Sequence, residues 1–455
     1  MMQPVSDSPS AETAIGRPGG VLSGRLRVPG DKSISHRAFL ISALAVGESH
    51  ADGCLESDDV LATQACLRAL GVEIRRTAPG AYRIHGRGIH GLAPPDGVLD
   101  CGNSGTAARL LAGVLAGHTF PAVLSGDASL RSRPMQRVIG PLVAMGAEFV
   151  TSRDGRLPMT ITGTDELLPL DWSSAVPSAQ VKTCVLLAGL HASGTTTVVE
   201  PRPSRDHGER MLRGFGAAVS TAAVDGGLAV SVEGNAPLRP TAIAVPGDVS
   251  SAAFPIVAAL LADGSEVELE RVGTNPTRTG VLDALRAMGA DIDEEPVAGA
   301  GAEPMANLRV RGRAGGLRAV DLGPEYAPRT IDEYPALAMA AACADGVSRF
   351  RGVGELRVKE SDRLEALRSG LVAAGVAARV EDDDLLIEGT PRPRGGVRIE
   401  SALDHRIAMA FLILGTACAE PIEVGGAGTI RTSWPGFSAA MRRLGAAIDT
   451  GTAAP

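Results

Sequence analysis

Seven short segments of this 455-residue chain set cations beside Gly, Ser, Asn or an acid: DKSISHR with Lys32 and Arg37, GNSGTAAR with Arg109, DASLRSRP with Arg131 and Arg133, SAQVK with Lys182, EPRPSRDHGER with Arg202 and Arg205, RVKESDR with Lys359 and Arg363, and LDHR with Arg406. Four of them open apolar helical stretches. A helix N-terminus already carries about half a positive charge and favours acidic side chains, so cations there oppose local stability unless an anion is held by the backbone N–H groups. A solvated charged face accounts for any one segment, since exposed charges contribute little; seven together point to a clamp for small anions. Acids stand among the cations: Asp332-Glu333 opens the run YPALAMAAACA, Glu360 follows Lys359, and Asp404-His405 precedes Arg406. Cations keep neighbouring carboxylates charged, which leaves a base available while Lys or His donates. Taken singly, Asp332 and Asp404 read equally well as helix N-caps.

The elements that must position these residues come from a repeat. Apolar or small residue, Gly, then Ala or Val ends a helical pattern at Gly71, Gly146, Gly216, Gly289, Gly375 and Gly445, with spacings of 75, 70, 73, 86 and 70 residues. Each glycine stands where a left-handed helix C-cap is expected, followed by a short strand. A second helix type, apolar nearly all round, begins near Ser35, Thr106, Ser178, Ser251, Asp332 and Asp404 and is expected inside the units. The unit is therefore strand, buried helix, strand, surface helix, Gly cap, strands, written six times. Val-Pro-Gly-Asp occurs at Val28–Asp31 and again, 217 residues on, at Val245–Asp248. The expected domains are a flexible tail over 1–20, one three-unit domain from 21–29 plus 247–455, and another over 30–246, with hinges near 28–31 and 245–248.

Composition narrows the function. The chain is 44% hydrophobic but 3% aromatic, so its core is built of Ala, Val, Leu and Ile; 44 Lys and Arg against 52 Asp and Glu give −8 and argue against nucleic-acid or membrane partners. Cysteines at 54, 66, 101, 184, 343 and 418 form no C-x-x-C pair, which suits reduced thiols in a cytoplasmic protein and no metal site. No targeting segment is read at the start, and no apolar run reaches the ~20 residues needed to span a bilayer. Lys32-Ser33 lacks the glycines a phosphate-binding P-loop requires, since Leu26 and Asp31 stand at those positions. No Gly-x-Ser-x-Gly elbow is present.

Together and in order, PGDKSISHR, GNSGTAAR, DASLRSRPM, PSAQVK, IDEYP, RVKESDR and LDHRIAM resemble the 5-enolpyruvylshikimate-3-phosphate synthase family, over about residues 20–445, and most closely its bacterial subgroup with glyphosate-tolerant members. The resemblance implies an α/β fold of two domains, each of three βαβαββ units with apolar helices inside, an inside-out α/β barrel. It implies transfer of enolpyruvyl from phosphoenolpyruvate to the 5-hydroxyl of shikimate 3-phosphate, without metal or organic cofactor, in a cytoplasmic monomer. By matching motifs, Lys32, Ser33, Arg37, Ser178, Ala179, Gln180, Arg205, Asp332 and Lys359 would hold shikimate 3-phosphate. Lys32, Asn103, Gly105, Arg133, Gln180, Arg363 and Arg406 would hold phosphoenolpyruvate. Asp332 would be the base toward the 5-hydroxyl, Glu360 with Lys32 would move protons at the methylene carbon, and His405 would assist or serve only the structure.

Two departures stand out. Leu110 follows Arg109 where many members have Pro, and Thr432 takes the place of a common phosphoenolpyruvate-contacting Lys, with Arg431 beside it. Gly105, where tolerant relatives carry Ala, implies glyphosate sensitivity. The alternatives are a UDP-N-acetylglucosamine enolpyruvyl transferase, disfavoured by Lys32-Ser33 in place of Lys-Asn and by a loop without Cys, and a non-catalytic polyanion-binding protein, which leaves Asp332 and Glu360 without a task.

Overall fold

The structure, a computed structural model, describes residues 12–298, 301–313 and 315–451. The six apolar helices are Lys32–Leu44, Gly105–Leu115, Ala179–Gly189, Val249–Leu261, Tyr334–Ala342 and His405–Ala417. Five are capped by a side chain of the residue before them: Asp31, Ser104, Ser178, Asp248 and Asp404 each accept a first-turn backbone N–H. Every residue from Val249 to Leu260 is buried, as the all-round apolar pattern requires.

Among the described residues, six four-stranded sheets pack with these helices, all with one parallel and two antiparallel pairings. In one, Leu99–Asp100 runs parallel to Pro121–Ser125, which pairs antiparallel with Arg156–Thr162, which pairs antiparallel with Glu148–Ser152. Leu157, Met159 and Ile161 alternate inward, the period of two a half-buried strand demands. The glycines at 71, 146, 216, 289, 375 and 445 all have φ between +85° and +111°. In each case the next residue's N–H reaches back five residues, as from Val72 to the Leu67 carbonyl at 3.0 Å and from Ala446 to the Met441 carbonyl at 3.0 Å. This is the Schellman closure, and only Gly enters it without a Cβ penalty.

The chain separates into two compact units, each with its own core. One consists of the described residues up to Pro29 with Gly247–Val297 and the described residues from Met305 onward; the other of Gly30–Pro246 with Ala298–Pro304. The Val-Pro-Gly-Asp segments bond reciprocally: Asp31 N–H donates to the Pro246 carbonyl and Asp248 N–H to the Pro29 carbonyl, both at 2.8 Å. The described residues of 298–304 add a grouping that the repeat pattern does not show; the Glu303 carboxylate meets His207 Nδ1 at 2.8 Å, both buried.

The flexible tail expected over 1–20 is corrected within the described residues. Thr13–Gly16 is a strand between Ile422–Gly425 and Ile448–Gly451, antiparallel to both, while 1–11 lie outside the described residues. Its inward positions are Ala14 and Gly16, and a Cβ on Gly16 would fall 2.1 Å from the Leu412 carbonyl oxygen. The closeness of the helix forbids large side chains there, so the strand carries no hydrophobic alternation to read. Among the described residues, no helix is long and apolar enough to cross a membrane.

Small residues set the helix spacing. A Cβ on Gly113 would lie 2.2 Å from the Cys184 carbonyl oxygen of the adjacent buried helix. Gly113→Ala is therefore expected to lower unfolding free energy by about 1–3 kcal/mol through overpacking. Urea unfolding checks this, and an unchanged midpoint would show that the two helices separate freely.

Candidate active site

In the unit containing Gly30–Pro246, the starts of three apolar helices meet. Arg37, fully enclosed, donates from Nη2 to Thr183 Oγ1 at 2.9 Å and the Ala179 carbonyl at 3.4 Å, and from Nη1 to the Ser33 carbonyl at 3.1 Å. Arg109 Nη1 donates to Gln180 Oε1 at 2.6 Å, and Gln180 Nε2 donates to Thr106 Oγ1 at 2.9 Å. Arg133 Nη2 donates to Asn103 Oδ1 at 2.7 Å and Ser129 Oγ at 3.2 Å, while Asn103 Nδ2 is anchored by Asp127 at 2.7 Å. Gly105 sits beneath both guanidiniums: a Cβ there would lie 2.9 Å from Arg109 Nη1 and 3.4 Å from Arg133 Nη1. Lys32 is ion-paired with Asp59. Ser178 caps its helix, with Ala179 and Gln180 in the first turn.

The charges crowd one another. Burial, and then the like charges of Arg133 and Arg137, push the Arg109 pKa down to about 10. Burial also takes Arg37 down to about 10 against the support of Glu209, Asp31 and Glu303, with Arg205 adding a further lowering. His36, enclosed beside Lys32 and Arg37, is held neutral and bonded to Thr63 Oγ1 at 2.7 Å.

The other unit gathers acids around one cation. Arg363 has no exposed side-chain surface; its Nε donates to Asp404 Oδ2 at 2.7 Å, Nη2 to Glu360 Oε2 at 2.5 Å and Nη1 to Asp332 Oδ1 at 3.3 Å. Burial disfavours its charge, but Asp404, Glu360 and Asp332 outweigh that and hold it firmly protonated. Arg406 Nη1 donates to the main-chain carbonyl of Asp332 at 3.0 Å. Ala402 and Leu403 have φ of +51° and +58°, a left-handed turn costing about 1–2 kcal/mol per non-Gly residue. The turn sets Asp404 to bond both Arg363 and the N–H of Arg406. Lys359 pairs with Glu355 at 2.8 Å. His405 is buried with Nδ1 3.3 Å from Thr432 Oγ1, whereas Arg431 turns to Glu12 at 2.6 Å.

Several readings change. Lys182 is 1% exposed and lies 2.8 Å from Glu200 and 2.7 Å from Glu209, so it is an internal ion pair rather than an anion holder. Arg131 and Arg202 are exposed, while Arg133 and Arg205 of the same loops are half-buried. Asp332 is not the N-cap of its helix; Glu333 occupies that place. Sequence reasoning missed Asp59, Thr183, Glu200 and Arg278. The last, buried, donates to Ser250 at 2.7 Å and Asp248 at 3.2 Å. All are partners distant in sequence, for which no local motif exists.

Each unit is built of three βαβαββ repeats around apolar helices with cations at their starts, and this is the inside-out α/β fold of the enolpyruvyl transferases. The chain belongs to the EPSP synthase (3-phosphoshikimate 1-carboxyvinyltransferase) family, whose description matches residues 17–441. It is 54% identical to the 3-phosphoshikimate 1-carboxyvinyltransferase of Acidiphilium cryptum, over 95% of this chain and 97% of that protein. To the enzyme of the same name from Paramagnetospirillum magneticum it is 53% identical, over 94% and 96%. Its structure is similar to that of EPSP synthase from Acinetobacter baumannii, with a TM-score of 0.88 and 43% identity over 97% of this chain and 100% of that one. The chain is a transferase, and its reaction is carboxyvinyl transfer to 3-phosphoshikimate.

Among the described residues, Arg109, Arg133 and Arg406 meet neutral oxygens and no carboxylate within ion-pair distance. An anion should therefore stabilise the fold. Inorganic phosphate is expected to raise the melting midpoint above that in sodium chloride of equal ionic strength, approaching about 2.7 kcal/mol at 100 times its Kd. Arg133→Ala should lose much of this gain; equal gains in parent and variant would remove Arg133 from the anion site.

Proposed function

We propose that the chain makes 5-enolpyruvylshikimate 3-phosphate and phosphate from phosphoenolpyruvate and shikimate 3-phosphate, as a cytoplasmic, monomeric enzyme of aromatic amino-acid biosynthesis. Shikimate 3-phosphate is held by Lys32, Ser33, Arg37, Ser178, Ala179, Gln180, Arg205, Asp332 and Lys359. Phosphoenolpyruvate is held by Lys32, Asn103, Gly105, Arg133, Gln180, Arg363 and Arg406. Guanidinium forks match its carboxylate and phosphate. The observation that carries the reading is the placement of Asp332 between two guanidiniums, its carboxylate on Arg363 and its carbonyl on Arg406.

In the reaction Asp332 takes the proton of the 5-hydroxyl as that oxygen bonds to C2 of phosphoenolpyruvate, and the Lys32 ammonium supplies, by way of the Glu360 carboxylate, the proton that C3 takes. Loss of a C3 proton to Glu360 then expels phosphate with its C–O bond pair and restores the double bond. Glu360 and Asp332 occupy Arg363 in the free protein, so an arriving phosphoenolpyruvate anion takes over that cation and releases two carboxylates for proton transfer. His405, buried and directed to Thr432, supports the turn carrying Arg406. The Val-Pro-Gly-Asp segments at 28–31 and 245–248 act as hinges whose movement excludes water during addition and elimination.

Asp332→Ala should keep the fold and reduce kcat by about 10²–10⁴-fold, the usual worth of a positioned base. Steady-state kinetics with circular dichroism checks this, and near-normal turnover in the folded variant would end the assignment.

Glyphosate, whose carboxylate and phosphonate imitate phosphoenolpyruvate, should inhibit competitively with that substrate. A methyl group at position 105 presses on Arg109 and Arg133 and narrows the space for the longer inhibitor. Gly105→Ala is therefore expected to raise the glyphosate inhibition constant more than the KM for phosphoenolpyruvate. Inhibition measured on both forms decides, and an insensitive parent or an identical pair of constants speaks against it.

A further inference from the structure

The residues proposed for shikimate 3-phosphate lie on two separate stretches of one unit. Ser178, Ala179 and Gln180 begin the helix Ala179–Gly189, and Arg205 lies between the strand Thr195–Glu200 and the helix His207–Gly214. One buried side chain, Glu200, bonds to both stretches. Glu200, with no exposed surface, accepts the Ser178 N–H at Oε1, 2.8 Å away. Its Oε2 accepts the Ser204 hydroxyl at 2.8 Å and the Ser204 N–H at 3.3 Å, and lies 2.8 Å from Lys182 Nζ.

The geometry assigns Glu200 as a positioning residue of the shikimate 3-phosphate subsite, one carboxylate setting the spacing between the helix start at Ser178 and the loop that carries Arg205. This rests on the substrate reading given above. Charge-assisted bonds from N–H and O–H groups to a buried carboxylate are short and directional. Pro201 and Pro203 stiffen the intervening chain, so fixing Ser204 fixes its neighbour Arg205. Neutralising Lys182 does not by itself require Glu200, because Glu209, 3% exposed, already pairs with that lysine at 2.7 Å. Glu200 shares that lysine and in addition takes the Ser178 and Ser204 donors, which Glu209 does not. Gly208 adds a further constraint: a Cβ there would lie 2.6 Å from Thr183 Oγ1, the partner of Arg37. The helix after the loop is thus seated against the same substrate-facing cation.

The test is Glu200→Gln, which keeps the shape, removes the charge and leaves Lys182 paired one-to-one with Glu209. The expected result is a KM for shikimate 3-phosphate raised about tenfold or more, with kcat and the KM for phosphoenolpyruvate within about twofold, as for loss of a charged hydrogen-bond acceptor at one subsite. A purely structural role would lower the folded fraction, and hence kcat, without separating the two KM values. Glu200→Asp, which keeps the charge but is one methylene too short to span both stretches, should show the same split and serves if the Gln variant does not fold. An unchanged shikimate 3-phosphate KM in a folded variant, or equal rises in both KM values, overturns the assignment. Arg205→Ala is measured alongside: a raised shikimate 3-phosphate KM there with unchanged Glu200 variants removes only the role of Glu200. No effect of Arg205→Ala removes the subsite reading and this inference with it.

Discussion

Three apolar helices begin side by side in each unit, and their backbone dipoles add at that point. Cross-bonds between the starts show the convergence: Arg37 to Ala179 and Thr183, Arg109 to Gln180, Ser250 to Glu333, Arg406 to Asp332. Each start contributes about half a positive charge, and the close packing permitted by Gly113 and its neighbours leaves little water to screen the sum. Buried acids answer it. Asp59, Glu200 and Glu209 serve one unit, Asp248, Glu333 and Asp404 the other, all less than 10% exposed. Where a guanidinium at such a start is left with neutral partners, as Arg109, Arg133 and Arg406 are, the local field remains positive and a small anion is the complement it lacks.

Much of the fold was legible because the repeat imposes backbone chemistry on particular residues. A left-handed C-cap accepts Gly almost alone, so six Gly positions marked six surface helices, and all six have positive φ. The strand Thr13–Gly16 was illegible for the opposite reason. Its inward residues must be small against the helix His405–Ala417, and small residues give no alternation. The described residues of 298–304 were equally silent, since Glu303 meets His207 from 96 positions away and no local pattern announces it.

The candidate site residues stood out in the sequence as cations at helix starts, but their electrostatic state did not. Lys182 and Arg109 read alike in sequence, each a cation within the first turns of an apolar helix. One is matched by two buried glutamates and the other by an amide oxygen. That difference arises from residues 18 to 71 positions away, brought in by the sheet order. Arg363 has one acid, Glu360, within its own RVKESDR segment, but its other two carboxylate partners, Asp332 and Asp404, come from distant stretches of chain.

Lys182 and Arg363 then show how one device yields two roles. Both are cations without exposed surface, each surrounded by more acid than charge balance requires. Around Lys182 the carboxylates are 1% and 3% exposed, so separating either from its partner would leave a buried unpaired charge, a change costing about 3–5 kcal/mol. That cluster is fixed and serves as framework. Around Arg363, Asp404 is equally buried and holds the guanidinium in place, but Asp332 and Glu360 are 18% and 29% exposed. In the proposed mechanism an incoming anion replaces those two on the guanidinium, and their partial exposure lets water receive them. Partial exposure of the acids, rather than the identity of the cation, separates a group that only stabilises from one whose partners can exchange.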